Sequence, residues 1–459
     1  MDRFTELENL ILSGKRAHLV GIGGVSMSPL ASVLAKRIPI TGSDIHESSV
    51  IRELRGMGVT VYIGHRAENV LGADFVIRTA AARDDNPEIA CAREKGIPVF
   101  ERAEAWGVIM RHYKNALCIS GTHGKTTTTS MCTHIMMAAG ADPTVMIGGT
   151  LPLIHAGHRV GAGDTIILES CEYYDSFLSF FPTIAVVLDV DNDHLDYFKN
   201  LEAIKTSFRR FAERVPRDTG IVIYNGDDEN TVSALKGIDR KTLSFGLEDT
   251  NYVHAANIVM EGAGYGFDII RGSEKFCRIS LRVPGLHNVK NALAAAASCM
   301  VLGVDGDTVS RGLSSFGGAE RRFQYKGTCR GADVYDDYAH HPSELHALID
   351  AVLALGRKRV IVAFQPHTYS RTKLLFSDFV SELRRCDKVY LAEIYAAREQ
   401  NTVGISSADL AAQIPGAVFC PTFTQLEKAL REEARPGDII LTVGAGDIYT
   451  VGEAIAENI

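Results

Sequence analysis

The chain has no cysteine pair at redox or metal-finger spacing. Its nine cysteines are scattered singly, which leaves a disulfide framework or zinc site without support and fits a reducing cytoplasm. It also has no long Lys/Arg run, and with a net charge of −8 it carries no general electrostatic attraction for nucleic acid. No uninterrupted apolar stretch approaches the length of a membrane span. The opening MDRFTELENLILSGKRAHLV carries charges through its first turns and reads as having no signal peptide. Short-period repeats and low-complexity tracts are missing as well.

What remains is an ordinary globular balance, 46% apolar and 23% charged over 459 residues, too long for a single core and suited to two or three domains. From residue 17 short β-branched runs alternate with helical text: AHLVGIGG, a helix over 29–35, IPITGSD, RELRGMG, VTVYIG. That rhythm predicts a parallel, doubly wound sheet. A second strand–loop–helix unit begins at 116–120 and runs into GTHGKTTTTS, followed by TIILES, TIAVVLDV, GIVIYN and an Ala-rich helix over 287–301. After the turn-rich SSFGGAERRF the alternation resumes. The expected fold class is α/β in three domains: a Rossmann-like domain over 1–104, a central P-loop ATPase-like domain with a parallel or mixed sheet over 105–313, and a Rossmann-like C-terminal domain over 314–459.

The strongest motif is Gly121-Thr122-His123-Gly124-Lys125-Thr126, set between an apolar strand and a helix rich in Thr and Met. Glycines admit phosphate oxygens to backbone N–H groups, the helix N-terminus adds positive potential, and the lysine neutralises β/γ charge. Thr126 stands where a P-loop hydroxyl holds Mg²⁺. The first glycine of the common GxxxxGK[ST] pattern is replaced by Ile119, so a plain glycine turn before a lysine-bearing helix is the alternative. Nearer the start, Gly21-Ile22-Gly23-Gly24-Val25-Ser26 follows a strand, and Asp44 closes the next. Ser26 stands in place of the third glycine of a dinucleotide fingerprint, and a UDP-sugar diphosphate uses the same physics as NAD.

LESCEYYDSF and VVLDVDNDHLDYF place Glu172 and His194 after apolar strands, where open α/β sheets bind ligands, and both are candidates for the same Mg²⁺ as Thr126. A capping or surface role is the alternative for Glu172. A calcium loop is disfavoured in DVDNDHLD because its glycine and twelfth-position Glu are missing. In PGLHNVKNALAAAASCM, His287, Asn288 and Asn291 share one helix face. Asn amides there can read an adenine edge, or Asn288 can cap the helix. DDYAHHPSEL and FQPHTYSRT put Asp337, Tyr338, His340, His341, His367 and Arg371 beside strand ends, a set suited to an anionic or amino-acid substrate as much as to a metal.

Taken in order, GIGGVSMS, GTHGKTTTT, ESCEYYDSF, NDHLDYF, HNVKNALAA, ERRF, DDYAHHPSE, FQPHTYSRT and GAGDI resemble the Mur ligase family over nearly the whole chain. The pair DDYAHHP and FQPHTYSRT is similar to the alanine-adding branch. The resemblance implies that ATP activates the lactyl carboxylate of UDP-N-acetylmuramate as an acyl phosphate, which L-alanine then captures in peptidoglycan assembly. It further implies Gly121, Thr122, His123, Gly124, Lys125, Thr126 and Thr127, with His287, Asn288, Asn291, Arg322 and Asp337, as ATP contacts, and Thr126, Glu172 and His194 as Mg²⁺ ligands. Gly23, Gly24, Asp44 and Thr79 match the UDP-sugar side, and Tyr338, His340 and Arg371 the amino-acid side. Lys125, His194 and His340 are the expected catalytic residues, His340 as a base or an orienting group for the amine. The expected setting is the cytoplasm, as a monomer or weak homodimer.

Two positions depart from relatives: Thr368 stands where some have Arg, and Ala80 replaces one of two adjacent hydroxyl residues. Arg209 lies near the place of the carbamylated lysine of later Mur ligases, which is consistent with the alanine-adding branch, since that branch lacks the modification. Three rival readings stay open at this point: a recycling ligase that attaches a preformed peptide to the same UDP-sugar, a nicotinamide oxidoreductase, and a non-catalytic nucleotide-binding regulator.

Overall fold

The computed structural model describes residues 2–195, 197–397 and 399–457. Five parallel strands form the first sheet: β1 (Ala17–Val20), β2 (Ile40–Asp44), β3 (Thr60–Ile63), β4 (Phe75–Arg78) and β5 (Val99–Glu101), in the order β3-β2-β1-β4-β5. Every residue of central β1 is buried, as expected of a strand with both faces covered. The order reverses beside β1, so the loop after it, carrying Gly21 to Ser26, opens at the switch point of the sheet.

The second sheet is built on β6 (Asn115–Ser120), β7 (Thr144–Leu151), β8 (Ala156–Arg159), β9 (Thr165–Glu169), β10 (Ile184–Val187), β11 (Ile221–Asn225) and β12 (Lys241–Gly246), in the order β12-β11-β10-β6-β9-β7-β8. Only β8 runs antiparallel among these. A ribbon of β13 (Val253–Glu261), β14 (Gly264–Arg271) and β15 (Glu274–Leu281) joins at β12 through Phe245 and Val253. Sequence rhythm gives no account of this ribbon. Half of β13 is exposed on both faces, which removes the apolar alternation that marks a strand. The third sheet comprises β16 (Gln324–Cys329), β17 (Ala332–Asp337), β18 (Val360–Phe364), β19 (Lys388–Ala392), β20 (Val418–Cys420) and β21 (Ile439–Val443), in the order β16-β17-β21-β18-β19-β20 with only β16 antiparallel.

By contact density the chain divides into two compact units. The first holds 1–256, 268–278 and 290–313, and the second 257–267, 279–289 and 314–459. The first sheet and strands β6–β12 share one unit and one apolar core, which includes Trp106, Phe177 and Phe208.

The helix Leu201–Ala212 shows how local sequence sets this packing. Asn200 caps it by accepting the Ala203 N–H at 3.0 Å, Glu202 sits in its first turn, and Arg209 and Arg210 sit in its last. Each charge matches the helix dipole, and the cap contributes about 1 kcal/mol. Ile204, Phe208 and Phe211 fall on one face and are buried. Arg209 donates to the carbonyls of Ala234 and Lys236 and pairs with Glu213, so it ties helix ends together.

A buried polar knot braces the first sheet. The Glu88 carboxylate is wholly enclosed and accepts from Ser43 Oγ and Asn69 Nδ2, each at 2.6 Å. His65 Nδ1 lies at 3.0 Å, and His18 Nε2 at 3.6 Å is an electrostatic neighbour. Burial favours the neutral acid, but His18, Ser43 and Asn69 outweigh it and hold the carboxyl down at about 2. Because the folded value lies below the unfolded one, the stabilisation is present above pH 4.5 and is lost as pH falls toward 2. Glu88→Gln is expected to cost about 3 kcal/mol at pH 7 and to flatten that acid limb, measured by denaturant unfolding across pH. An unchanged limb would show that Glu88 titrates alike in both states.

Candidate active site

The phosphate loop springs from β6, whose last five residues are buried. Gly121 has φ 150° and Gly124 φ 79°, conformations open to glycine at little cost. A Cβ on Gly121 would meet Asp189 Oδ1 and Leu188 Cβ at 2.8 Å, and one on Gly124 would meet Asn291 Oδ1 at 2.5 Å. The loop is moulded from outside. Asp189 accepts the His123 N–H at 2.9 Å through its carboxylate, and Thr122 Oγ1 accepts the Asp191 N–H at 2.9 Å. Burial pushes the Asp189 carboxyl up to about 6 against the pull of His123 and Lys125.

Lys125 begins the helix Lys125–Ala138 and folds back over the loop. Its Nζ donates to the carbonyls of Gly121 and Thr122 at 2.5 and 3.0 Å and pairs with Glu172 Oε2 at 3.1 Å. Burial works against its charge, yet Glu172, Cys171 and Glu169 prevail and shift the ammonium upward. Glu172 is 2% exposed, and its other oxygen lies 3.7 Å from His194 Nε2. Thr126 is buried in the first helical turn, and Thr128 Oγ1 donates to Asn291 Oδ1 at 3.3 Å. Lys125, Glu172 and His194 thus meet at the ends of three neighbouring strand segments, with Asn291 against the loop. Asn288 lies inside the helix Leu286–Val301, and its Nδ2 donates to Pro284 O in the turn before it at 2.7 Å. His287 stands directly against Gly285.

At the first sheet, Gly21, Gly23, Asp44 and Thr79 converge. Asp44 Oδ2 accepts the Gly23 N–H at 2.9 Å, and Thr79 lies where a Cβ on Gly21 would stand, 2.7 Å from its Cγ2. Ser43 O accepts from Gly21 and Ile22, and Gly24 donates to Gly21 O, so the glycines are spent holding the turn and Asp44 anchors it. The side chain that sequence reading passed over is Arg102. It opens the helix Arg102–Met110, donates to Ser26 Oγ, and has no carboxylate within ion-pair distance among the described residues. Burial lowers its pKa, only partly opposed by Cys171 and Glu101. Gly107 brings this helix against Ser179 O, where no side chain would fit, and so toward the Glu172 turn.

In the second unit, Asp337 ends β17 and accepts the N–H groups of Phe323 and Ala339 at 2.7 and 2.8 Å. Burial pushes it up to about 6 against the pull of Arg322. Arg322 lies 5.2 Å from the Tyr338 ring centroid and 3.9 Å from Glu344. His340 Nδ1 is 3.0 Å from Tyr338 O. A carbonyl only accepts, so that contact places the proton on Nδ1 and the basic lone pair on Nε2. The His340 and His367 rings are 5.6 Å apart, and His367 Nδ1 lies 3.3 Å from Arg371 Nη1. His341 instead caps the helix Pro342–Ala354. Thr368 has φ 66°, an outlier for a β-branched residue, at the turn that carries Arg371.

A parallel sheet with a lysine-bearing phosphate loop, its ammonium set against a strand-end carboxylate and imidazole, defines a P-loop nucleotide-dependent enzyme. The matching family models narrow this: Mur ligase family, catalytic domain over residues 16–114; Mur ligase middle domain over 119–299; and Mur ligase, glutamate ligase domain over 321–446. The UDP-N-acetylmuramate–L-alanine ligase of Caldanaerobacter subterraneus subsp. tengcongensis is 45% identical over 450 residues, 97% of this chain and 98% of that one. That of Lachnospira eligens is 46% identical, covering 95% and 96%. The solved UDP-N-acetylmuramate-alanine ligase of Thermotoga maritima superposes with a TM-score of 0.80 at 28% identity, covering 96% and 98%. A murein peptide ligase of Psychrobacter arcticus shares the fold, with a TM-score of 0.72 at 22% identity, covering 97% and 100%. The chain belongs to the Mur ligase family.

Proposed function

We infer that the chain joins L-alanine to the lactyl carboxylate of UDP-N-acetylmuramate at the expense of ATP, releasing ADP and phosphate. The observation that carries this reading is the Lys125–Glu172–His194 cluster on the phosphate loop, in a chain matched end to end by ligases of that name. The identity of 43–46% with alanine ligases favours a single alanine over a preformed peptide, and the family excludes the oxidoreductase reading. The working domains are 1–104 for the UDP-sugar, 105–313 for ATP and 314–459 for the amino acid, acting in the cytoplasm. No helix among the described residues is long and apolar enough to cross a membrane.

The lactyl carboxylate attacks the γ-phosphorus, ADP leaves, and the alanine amine displaces phosphate from the acyl phosphate. Lys125 neutralises charge on the transferring group. The carboxylate of Glu172 and the hydroxyl of Thr126 are hard oxygen donors of the kind Mg²⁺ takes, and with His194, 3.7 Å from Glu172, they would hold the ion, which would supply charge neutralisation for phosphoryl transfer. His340 Nε2 accepts the proton that the amine sheds. Asn291 and His287 serve the adenine, with Arg322 and Asp337 completing the ATP contacts. Tyr338 and Arg371 orient alanine.

The test is phosphate release by purified protein with ATP, Mg²⁺, UDP-N-acetylmuramate and single amino acids. Release with L-alanine is expected, and none with alanine, glycine or serine would sink the reading. At the first sheet, Arg102, which donates to Ser26 Oγ beside the glycine turn, supplies the positive charge for the UDP diphosphate. Arg102→Ala is therefore expected to raise KM for the UDP-sugar about tenfold or more while KM for ATP holds. An unchanged UDP-sugar KM would remove Arg102 from that site.

A further inference from the structure

We propose that Asp175 is a positioning residue for the phosphate-activating site, its carboxylate tying together the two strained turns that present Glu172 and His194. The proposal rests on the reading of Glu172 and His194 as the pair that serves the divalent cation.

Glu172 and His194 follow different strands, β9 and β10, and strand-end position alone does not fix their separation. Left-handed backbone marks both turns, at His194 itself and just after Glu172, whose own φ is −75°. Tyr174 and Asp175 each have φ 54°, and His194 has φ 52°. Each such non-glycine residue costs about 1–2 kcal/mol, and strain of this kind persists where the surroundings over-determine it.

Asp175 is what over-determines it. Its N–H donates to Glu172 O at 2.8 Å, closing the first turn, and His194 O accepts the N–H groups of Tyr197 and Phe198 at 2.9 and 2.8 Å, closing the second. Between the turns, Asp175 Oδ2 accepts from Tyr197 Oη at 3.0 Å. The residue three places after Glu172 is therefore bonded to the residue three places after His194. Asp175 Oδ1 accepts from Ser207 Oγ, and Arg210 Nη1 stands 3.9 Å from Oδ2, which fastens the crossbeam to the helix Leu201–Ala212. Phe177 stacks on Phe211 of that helix at 4.5 Å. The Tyr173 ring lies 4.3 Å from His194 at an interplanar angle of 23°, and Tyr174 lies 4.8 Å from Tyr197. Removing the crossbeam frees the Glu172–His194 separation and leaves the glycine loops at both sheets untouched.

The test is Mn²⁺ binding to the full chain in the presence of ADP, followed by electron paramagnetic resonance, for wild type, Asp175→Ala, Asp175→Asn, Tyr197→Phe and the double variant Asp175→Ala/Tyr197→Phe. Asp175→Ala is expected to weaken Mn²⁺ about tenfold, the size of effect that outer hydrogen-bond partners have on a metal site. Asp175→Asn, which keeps an acceptor, falls between it and wild type. The double variant binds no worse than Asp175→Ala, since both changes delete one bond. The Mg²⁺ requirement for phosphate release moves by the same factor, while KM for the UDP-sugar does not. Tyr197→Phe removes a single hydroxyl and keeps the test valid if Asp175→Ala does not fold. Wild-type Mn²⁺ affinity in the folded variants, or a double variant equal to the product of the singles, overturns the proposal alone. A wild type that binds no Mn²⁺ with ADP overturns the reading of the site and the proposal with it.

Discussion

Lys125→Ala is expected to lower alanine-dependent phosphate release by about a thousandfold or more, while binding of the UDP-sugar, followed by calorimetry, stays within about twofold. The size follows from where the ammonium sits. It is largely enclosed, its side chain 14% exposed, it bridges two loop carbonyls and the Glu172 carboxylate, and its pKa is shifted upward despite desolvation, so it is a full cation at any working pH. A pre-placed positive charge in a water-poor site acts on the transferring phosphoryl group far more strongly than it would in water. Lys125→Arg is not expected to rescue activity, because a planar guanidinium does not fit the point that a compact ammonium fills between two carbonyls. The site proposed for the UDP-sugar keeps its own anchors, Asp44 on Gly23 and Arg102 on Ser26. Retention of a tenth of wild-type activity would take the loop out of the mechanism.

How much of this was legible in the sequence depended on how local each cause is. GTHGKT is contiguous, and an apolar strand before it with a helix after it is enough to place the loop. Glu172 and His194 follow strands of one parallel sheet, so the rule that ligands gather at strand ends already sets them near each other, and the structure puts them 3.7 Å apart. The three-sheet α/β plan followed from the strand–helix rhythm, except for the ribbon β13–β15, whose exposed strands carry no clean alternation. What the sequence concealed is non-local. Nothing beside Asp175 names Tyr197 or Ser207 as its partners, and nothing beside Arg102 announces that Ser26, 76 positions away, receives its guanidinium. Asp189 stood in view in DVDNDHLD, but its work on the His123 N–H depends on β10 lying next to β6. Asn288 shows the converse. Its residue type allowed either adenine reading or capping, and the bond its amide nitrogen gives to Pro284 O belongs to neither.

Gly124→Ala is expected to reduce kcat/KM for ATP about a hundredfold or more, with the UDP-sugar KM again unmoved. Two separate causes act at this residue. The backbone sits at φ 79°, where a Cβ costs about 1–2 kcal/mol, and the added carbon would stand 2.5 Å from Asn291 Oδ1, inside any tolerable contact. Either the Asn291 amide, held by Thr128, or the loop must give way, and any backbone shift carries the loop N–H groups with it. A misplacement of about 1 Å at a phosphoryl-transfer site is enough for a loss of this order. The causes can be separated, because Asn291→Ala in the same chain removes the clash but not the dihedral cost. Gly124→Ala/Asn291→Ala should recover part of the ATP-dependent rate over Gly124→Ala, although Asn291→Ala alone loses the Thr128 contact and whatever the amide gives the adenine. Steady-state kinetics on the four proteins decide it. A double variant as impaired as the product of the two singles would mean that the left-handed backbone, and not the approach of Asn291, is what reserves this position for glycine.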